Sequence, residues 1–283
     1  MIQTIKEIEY NKIYCGDALT VLKTWPDECI DMVITSPPYW NLRDYNVAGQ
    51  LGLEPTFQEY IQRLIEIFTE VKRVLKKEGT CWVNLGDTYS RNKEGKTDKN
   101  VSDYLKRTSS GIHKKAGIQE KSLCLIPSRF AIAMVENGWV LRNTIIWHKP
   151  NCMPSSIKDR FTVDYEPVFF FTKSKKYWFE AQYDPYTKQM NRWGGDELKA
   201  DGKSEWDNGT GQNTHRNRNM RPNPLGRNKR CVWHIPTHAY RKAHFATFPT
   251  KLLITPIRAG CPENGTVLDP FMGSGTTALM ARH

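Results

Sequence analysis

The chain has 283 residues, 39% hydrophobic and 25% charged, and a formal net charge of +11. That length suits one large α/β domain with an insertion, or two modest domains. No apolar run approaches the roughly 20 residues needed to cross a bilayer, and Met1–Lys12 lacks the features of an export signal, so the sequence predicts a cytoplasmic protein without membrane contact.

The excess of positive charge favours a polyanionic partner, although basic proteins that bind no nucleic acid are common. Cys15, Cys29, Cys81, Cys124, Cys152, Cys231 and Cys261 stand singly, with no Cys-x-x-Cys pair. That scatter argues against a disulfide framework or a zinc knuckle and predicts small reduced core residues. No cluster of His, Cys and carboxylates suggests a metal.

In chain order, Ile13–Gly16 predicts a short strand, Ala18–Trp25 a helix, and Asp31–Thr35 a buried strand ending at Ser36-Pro37-Pro38. Phe57, Ile61, Leu64, Ile65, Phe68, Val71 and Val74 recur at helical spacing, which predicts an amphipathic helix from about Phe57 to Lys77. Thr56 and Glu59 form a capping box at its start, Gly79 follows its end, and Thr80–Leu85 reads as the next buried strand. Tyr89–Ser122 carries nine Lys/Arg against four Asp/Glu and few apolar residues, which predicts a mobile loop, either merely solvated or closing over a DNA backbone.

Regular structure resumes with a helix near Ser128–Asn137 stopped by Gly138, then strands Trp139–Trp147 and Glu166–Lys173, with Tyr177–Glu180 extending a hairpin. Lys188–Lys242 holds twelve Lys/Arg against five Asp/Glu, interleaved with Trp193, Trp206, Trp233 and Tyr240. This is the composition of a surface that touches phosphates and base edges, with Arg216, Arg218, Arg221, Arg227, Lys229 and Arg230 as candidate DNA contacts. A helix from about Pro249, a strand Thr266–Leu268 and a final helix close the chain.

Two motifs carry chemistry. Asp269-Pro270-Phe271-x-Gly273-Ser274-Gly275-Thr276 lies between a strand and a helix, where glycines let a ligand approach the backbone. It lacks the full dinucleotide fingerprint and the Lys of a phosphate loop, so a purely structural turn stays open. In Thr35-Ser36-Pro37-Pro38-Tyr39-Trp40, two prolines hold an extended chain without donors and leave the Pro37 carbonyl exposed. That carbonyl and the Ser36 hydroxyl place two acceptors beside the Tyr39 ring, which suits a planar group bearing NH₂; a rigid turn with a half-buried aromatic is the alternative.

Together these motifs resemble those of the DNA amino-methyltransferases, which pair a (Ser/Asp/Asn)-Pro-Pro-(Tyr/Phe) catalytic loop with a Phe-x-Gly-x-Gly cofactor loop. The resemblance continues through Cys15-Gly16-Asp17-Ala18, Ile145–Asn151, Asp159-Arg160, Glu166–Phe169 and His244–Pro249. It implies an α/β, Rossmann-like fold dependent on S-adenosylmethionine, circularly permuted into the β group because the catalytic loop precedes the cofactor glycines. Residues 1–181 would form the catalytic half, 182–237 the target-recognition region and 238–283 the cofactor-binding half.

The implied roles are catalysis by Ser36, Pro37, Pro38 and Tyr39, and cofactor binding by Asp17, Phe245, Phe248, Pro249, Asp269, Pro270, Phe271, Gly273, Ser274, Gly275 and Thr276. The implied partner is double-stranded DNA, methylated on a flipped base in a prokaryotic or phage restriction–modification system, near the nucleoid. Ser-Pro-Pro-Tyr points to N4 of cytosine; N6 of adenine, or a DNA-binding chain that has lost catalysis, are the alternatives. A C5 mechanism would need a Pro-Cys pair, and the sequence has only the reverse order, Cys261-Pro262. Family members continue past the glycine helix into a strand ending in an acid, so the resemblance also predicts a chain completed by a further C-terminal segment, by a partner polypeptide or by alternative packing, with a homodimer as one form of partnership.

Overall fold

The computed structural model describes residues 8–45, 47–90, 117–186, 223–237 and 248–282. Its elements are α1 (Ala18–Leu22), β1 (Ile30–Thr35), α2 (Phe57–Val74), β2 (Leu75–Asn84), α3 (Ile126–Glu136), β3 (Val140–His148) and β4 (Tyr165–Thr172). They continue with β5 (Tyr183–Asp184), β6 (Arg227–Asn228), β7 (Val232–His234), α4 (Thr250–Gly260), β8 (Val267–Leu268) and α5 (Thr276–Ala281). By contact density the chain forms two compact units, 1–180 with 231–283, and 181–230.

The first unit holds a six-stranded sheet in the order β7-β3-β4-β2-β1-β8. β1 runs parallel to β2 and β8, and β3 parallel to β7, while β4 lies antiparallel to both β2 and β3. Both faces of this sheet are covered, so its strands read as nearly continuous apolar runs. One core packs Val33, Cys81, Val83, Phe169 and Phe171 against Leu64, Phe68 and Val71 of α2 and Phe130 and Met134 of α3. The other packs Met32, Ile34, Trp82, Val168 and Phe170 against Leu252 and Leu253 of α4. Trp82 and Phe170, opposite each other in the ladder, stack at 4.1 Å and 7°. In the second unit β5 and β6 pair antiparallel, and Lys229 donates to Asp184 at 3.1 Å.

Helix α2 begins as its sequence predicts, with the Thr56 hydroxyl accepting from the Glu59 amide at 3.2 Å. Its end differs. The helix stops at Val74, and Gly79 lies inside β2 rather than capping the helix. There the ladder skips from Ile30↔Leu75 to Met32↔Thr80, so residues 76–79 bulge outward. A Cβ on Gly79 would meet the Leu75 side chain at 2.6 Å and the Asp31 carbonyl at 3.0 Å. Glycine is needed for close packing, not for a cap.

Ile13–Gly16 is not a strand: no strand of the described residues lies beside it, and Ile13 is 72% exposed. Tyr177–Glu180 extends no hairpin, because the Trp178 and Glu180 amides donate to the Glu78 and Ala259 carbonyls of separate elements. The cysteines are all free, but only Cys81, Cys124 and Cys261 are buried; Cys15 and Cys231 are exposed. Most of the basic segment predicted as a mobile loop, residues 91–116, lies outside the described residues. No described helix is long and apolar enough to cross a membrane, and no described cluster could hold a metal ion.

Candidate active site

β1 and β8 are parallel neighbours, so Ser36 and Asp269 leave the sheet at the same edge. The Asp269 carboxylate accepts from the Thr35 hydroxyl through one oxygen and from the Thr277 hydroxyl at 2.6 Å through the other. It also accepts from the Phe271 amide at 3.0 Å, which sets the turn at Pro270. Thr35 and Thr277 are buried, at 1% and 2% exposure. Burial raises the Asp269 carboxyl above its ordinary value, while the two hydroxyls and the amide pull it down. One carboxylate therefore ties the end of β1 to the glycine turn.

The glycine turn itself is open. Gly273 and Gly275 have φ of +54° and +82°, in the left-handed region that favours glycine. A Cβ on Gly275 would meet nothing within 4 Å. The Ser274 and Thr276 hydroxyls lie 3.2 Å apart beside it. Pro249 is buried and caps α4. Phe248 joins Ile34, Thr35, Asn84, Val168 and Leu252 in lining a small cleft at the end of β1.

The other loop is anchored from below. Trp40 is buried, donates its indole N–H to the Glu54 carbonyl at 3.0 Å and meets Phe57 edge-on. Glu54, buried in turn, accepts from the Gly52 amide at 2.8 Å and pairs with Arg63 at 2.6 Å. The Tyr60 hydroxyl donates to the Pro38 carbonyl at 2.8 Å. Pro37 is buried as a residue, between half-buried Ser36 and Pro38.

Tyr39 is held by its hydroxyl, which donates to Glu166 Oε2 at 2.8 Å and lies 3.0 Å from Asn84 Oδ1. Asn84 donates to the same Glu166 oxygen at 3.1 Å, and Lys149 donates to the other. Burial and the adjacent Glu166 charge push the Tyr39 phenol well above its ordinary value, so it stays a donor. The ring lies against Gly86, where a Cβ would approach it to 2.4 Å. Ser36 Oγ is 3.5 Å from both the Tyr39 hydroxyl and Asn84 Oδ1, at the outer limit of a hydrogen bond. Its hydroxyl is thus weakly committed.

Sequence reasoning missed Thr35, Thr277, Asn84 and Lys149 as parts of this site, and gave Glu166 no role beyond a motif match. Asn84 and Glu166 sit at facing ends of β2 and β4, a pairing that only the sheet order discloses. Asp17 is not joined to the glycine turn by its described contacts: exposed, it caps α1 by accepting from the Thr20 amide at 2.9 Å. Phe245, Arg216, Arg218 and Arg221 lie outside the described residues. Arg227, Lys229 and Arg230 belong to the second compact unit.

Comparison with known proteins identifies the family. The chain is 38% identical over 270 residues to the Type II methyltransferase M.XycI of Xanthomonas campestris pv. cyanopsidis, covering 95% of this chain and 79% of that protein. It is 37% identical over 276 residues to the Type II methyltransferase M.Cfr9I of Citrobacter freundii, covering 98% and 81%. A solved structure described as PvuII DNA methyltransferase (cytosine-N4-specific) shares the fold, with TM-score 0.59 at 22% identity over 95% of this chain and 77% of that one. The model of the N6/N4-type family described as DNA methylase matches residues 30–283. Matched by that model over most of its length and by relatives above 30% identity, the chain belongs to that family of DNA methylases.

Proposed function

We propose that this methyltransferase moves a methyl group from S-adenosylmethionine to the exocyclic N4 amine of a cytosine in duplex DNA, as the protective partner in a restriction–modification system of the cytoplasm. The observation that supports this most is the Asp269 carboxylate bonded to both Thr35 and Thr277, which brings an amine-gripping loop beside an open glycine turn.

The residues at that turn fit the cofactor. Gly275 leaves space where any side chain would project, and the Ser274 and Thr276 hydroxyls border it. Asp269, Pro270, Phe271, Gly273, Ser274, Gly275 and Thr276, with Phe248 and Pro249, would hold the cofactor; Asp17 and Phe245 are added by family resemblance. When bound, S-adenosylmethionine supplies an electrophilic methyl group.

The target base leaves the duplex, since its amine is otherwise paired. Tyr39, fixed by Glu166 and Asn84, offers its ring for stacking. The Ser36 hydroxyl and the Pro37 carbonyl accept from the amine, drawing its lone pair out of conjugation. What remains is in-line alignment at about 3–3.5 Å, which needs positioning more than acid–base power. The 182–237 region, including Arg227, Lys229 and Arg230, selects the sequence. The serine at position 36, where adenine enzymes of the family usually carry Asp, favours cytosine.

The test is to express the chain, digest cellular DNA to nucleosides and identify the product by mass spectrometry, then map the modified sites. N4-methylcytosine is the expected product. N6-methyladenine would replace cytosine by adenine in this reading; salt-dependent DNA binding with no methyl transfer would remove catalysis from it.

A further inference from the structure

The loop joining β3 to β4 displays apolar side chains that neither core uses. Phe161 is 95% exposed and Met153 88%, with Ile157 and Val163 at 43% and 48%. Single exposed apolar residues are ordinary, but several on one loop mark a contact surface. The loop's roots are in the active site: Lys149 at its start and Glu166 at its end pair with each other, and Glu166 grips Tyr39.

The loop backbone is also fastened on both sides of its tip. The Lys149 amide donates to the Asp164 carbonyl at 2.7 Å, closing the base. Lys121 pairs with Asp159 at 2.8 Å, and the Arg160 guanidinium lies 3.7 Å from the centre of the Tyr89 ring. Tyr89 follows the end of β2, so Arg160 brings the tip to the sheet edge from which Ser36 emerges. Two consecutive pinned residues thus present Phe161 outward on a fixed backbone, with exposed Lys158 beside it.

We propose that Phe161 is a wedge that enters the base stack of duplex DNA next to the target and occupies space the extruded base vacates. This rests on the DNA methyltransferase reading and extends it. A flipped base leaves an apolar, planar gap, and an aromatic ring on a preordered loop fills it with little further ordering cost. The net charge of the whole chain, +11, favours nucleic acid over a basic or neutral protein partner.

The experiment compares the wild-type chain with Phe161→Ala and Phe161→Trp on two duplexes containing the mapped site. In one the target is paired; in the other it is mismatched and already loosened. Phe161→Ala should lose about tenfold or more in methyl-transfer rate on the paired duplex while staying near wild type on the mismatched one, the difference being the cost of unstacking. Phe161→Trp should restore the paired rate. A 2-aminopurine at the target position should brighten with wild type and less with the alanine variant. Equal loss on both duplexes, or no loss on either, overturns the wedge. A change only in self-association assigns the loop to a second copy and also overturns it. Wild type that methylates neither duplex overturns the DNA methyltransferase reading itself.

Discussion

Asp269 stands between two hydroxyls and an amide that favour its charge and a buried setting that opposes it; burial prevails, and the carboxyl is raised. The folded chain therefore holds this proton more tightly than the unfolded chain, whose carboxyl titrates at about 3.9. Between that value and the raised one the folded state binds more protons, so this residue's contribution to stability falls as pH rises. Asp269→Asn removes the titration. The wild-type melting temperature minus that of Asp269→Asn should decline with rising pH across this interval and then level off; a rise would place the hydrogen bonds above burial. Ser36 sits differently, with both neighbours at 3.5 Å. Ser36→Ala should leave cofactor affinity by calorimetry unchanged and slow single-turnover transfer by roughly two orders of magnitude, the usual cost of losing one positioned hydrogen-bonding group.

Between β2 and the Tyr39 ring, Gly86 provides the clearance that lets a strand end and a catalytic loop share space. Gly86→Ala puts a methyl 2.4 Å from the ring, which has no flexible end to yield. The expected result is a transfer rate lower by about tenfold or more, reflecting the sensitivity of aligned reactions to small displacements, with far-ultraviolet circular dichroism unchanged. Elements with a strong local signature were legible from sequence: the α2 stripe and its Thr56 cap, the buried run of β1, and Gly138 ending α3 at φ +79°. Gly79 was misleading because a glycine past a helix has two uses, capping and close packing, and only the β1–β2 bulge distinguishes them. The Tyr39–Asn84–Glu166–Lys149 network was illegible for a related reason. Its members come from four segments, and nothing in sequence spacing says that β4 lies between β2 and β3.

For the molecule as a whole, a charge of +11 makes DNA association a matter of counterion release. Each phosphate contact should contribute about 0.9 to the slope of log affinity against log salt. Arg230→Ala should lower that slope by about this amount if Arg230 meets a phosphate. Lys229→Ala should lower it by less than one full phosphate contact, because the Lys229 charge is already paired with Asp184. A titration of binding between low and moderate salt checks both. Composition foretold this scale well, since charge and motif order survive without knowledge of neighbours; the edges and pairings of the sheet did not.

The reversed direction of β4 gives the enzyme a division of labour. Its neighbours reach the reaction edge at their ends, where loops begin; β4 reaches it at its start, already hydrogen-bonded on both flanks. Glu166 is thus delivered by the sheet and not by the loop before it. A change in the residues between Lys149 and Tyr165 would therefore leave the clamp on Tyr39 in its place, because the strand and not the loop fixes the Glu166 carboxylate.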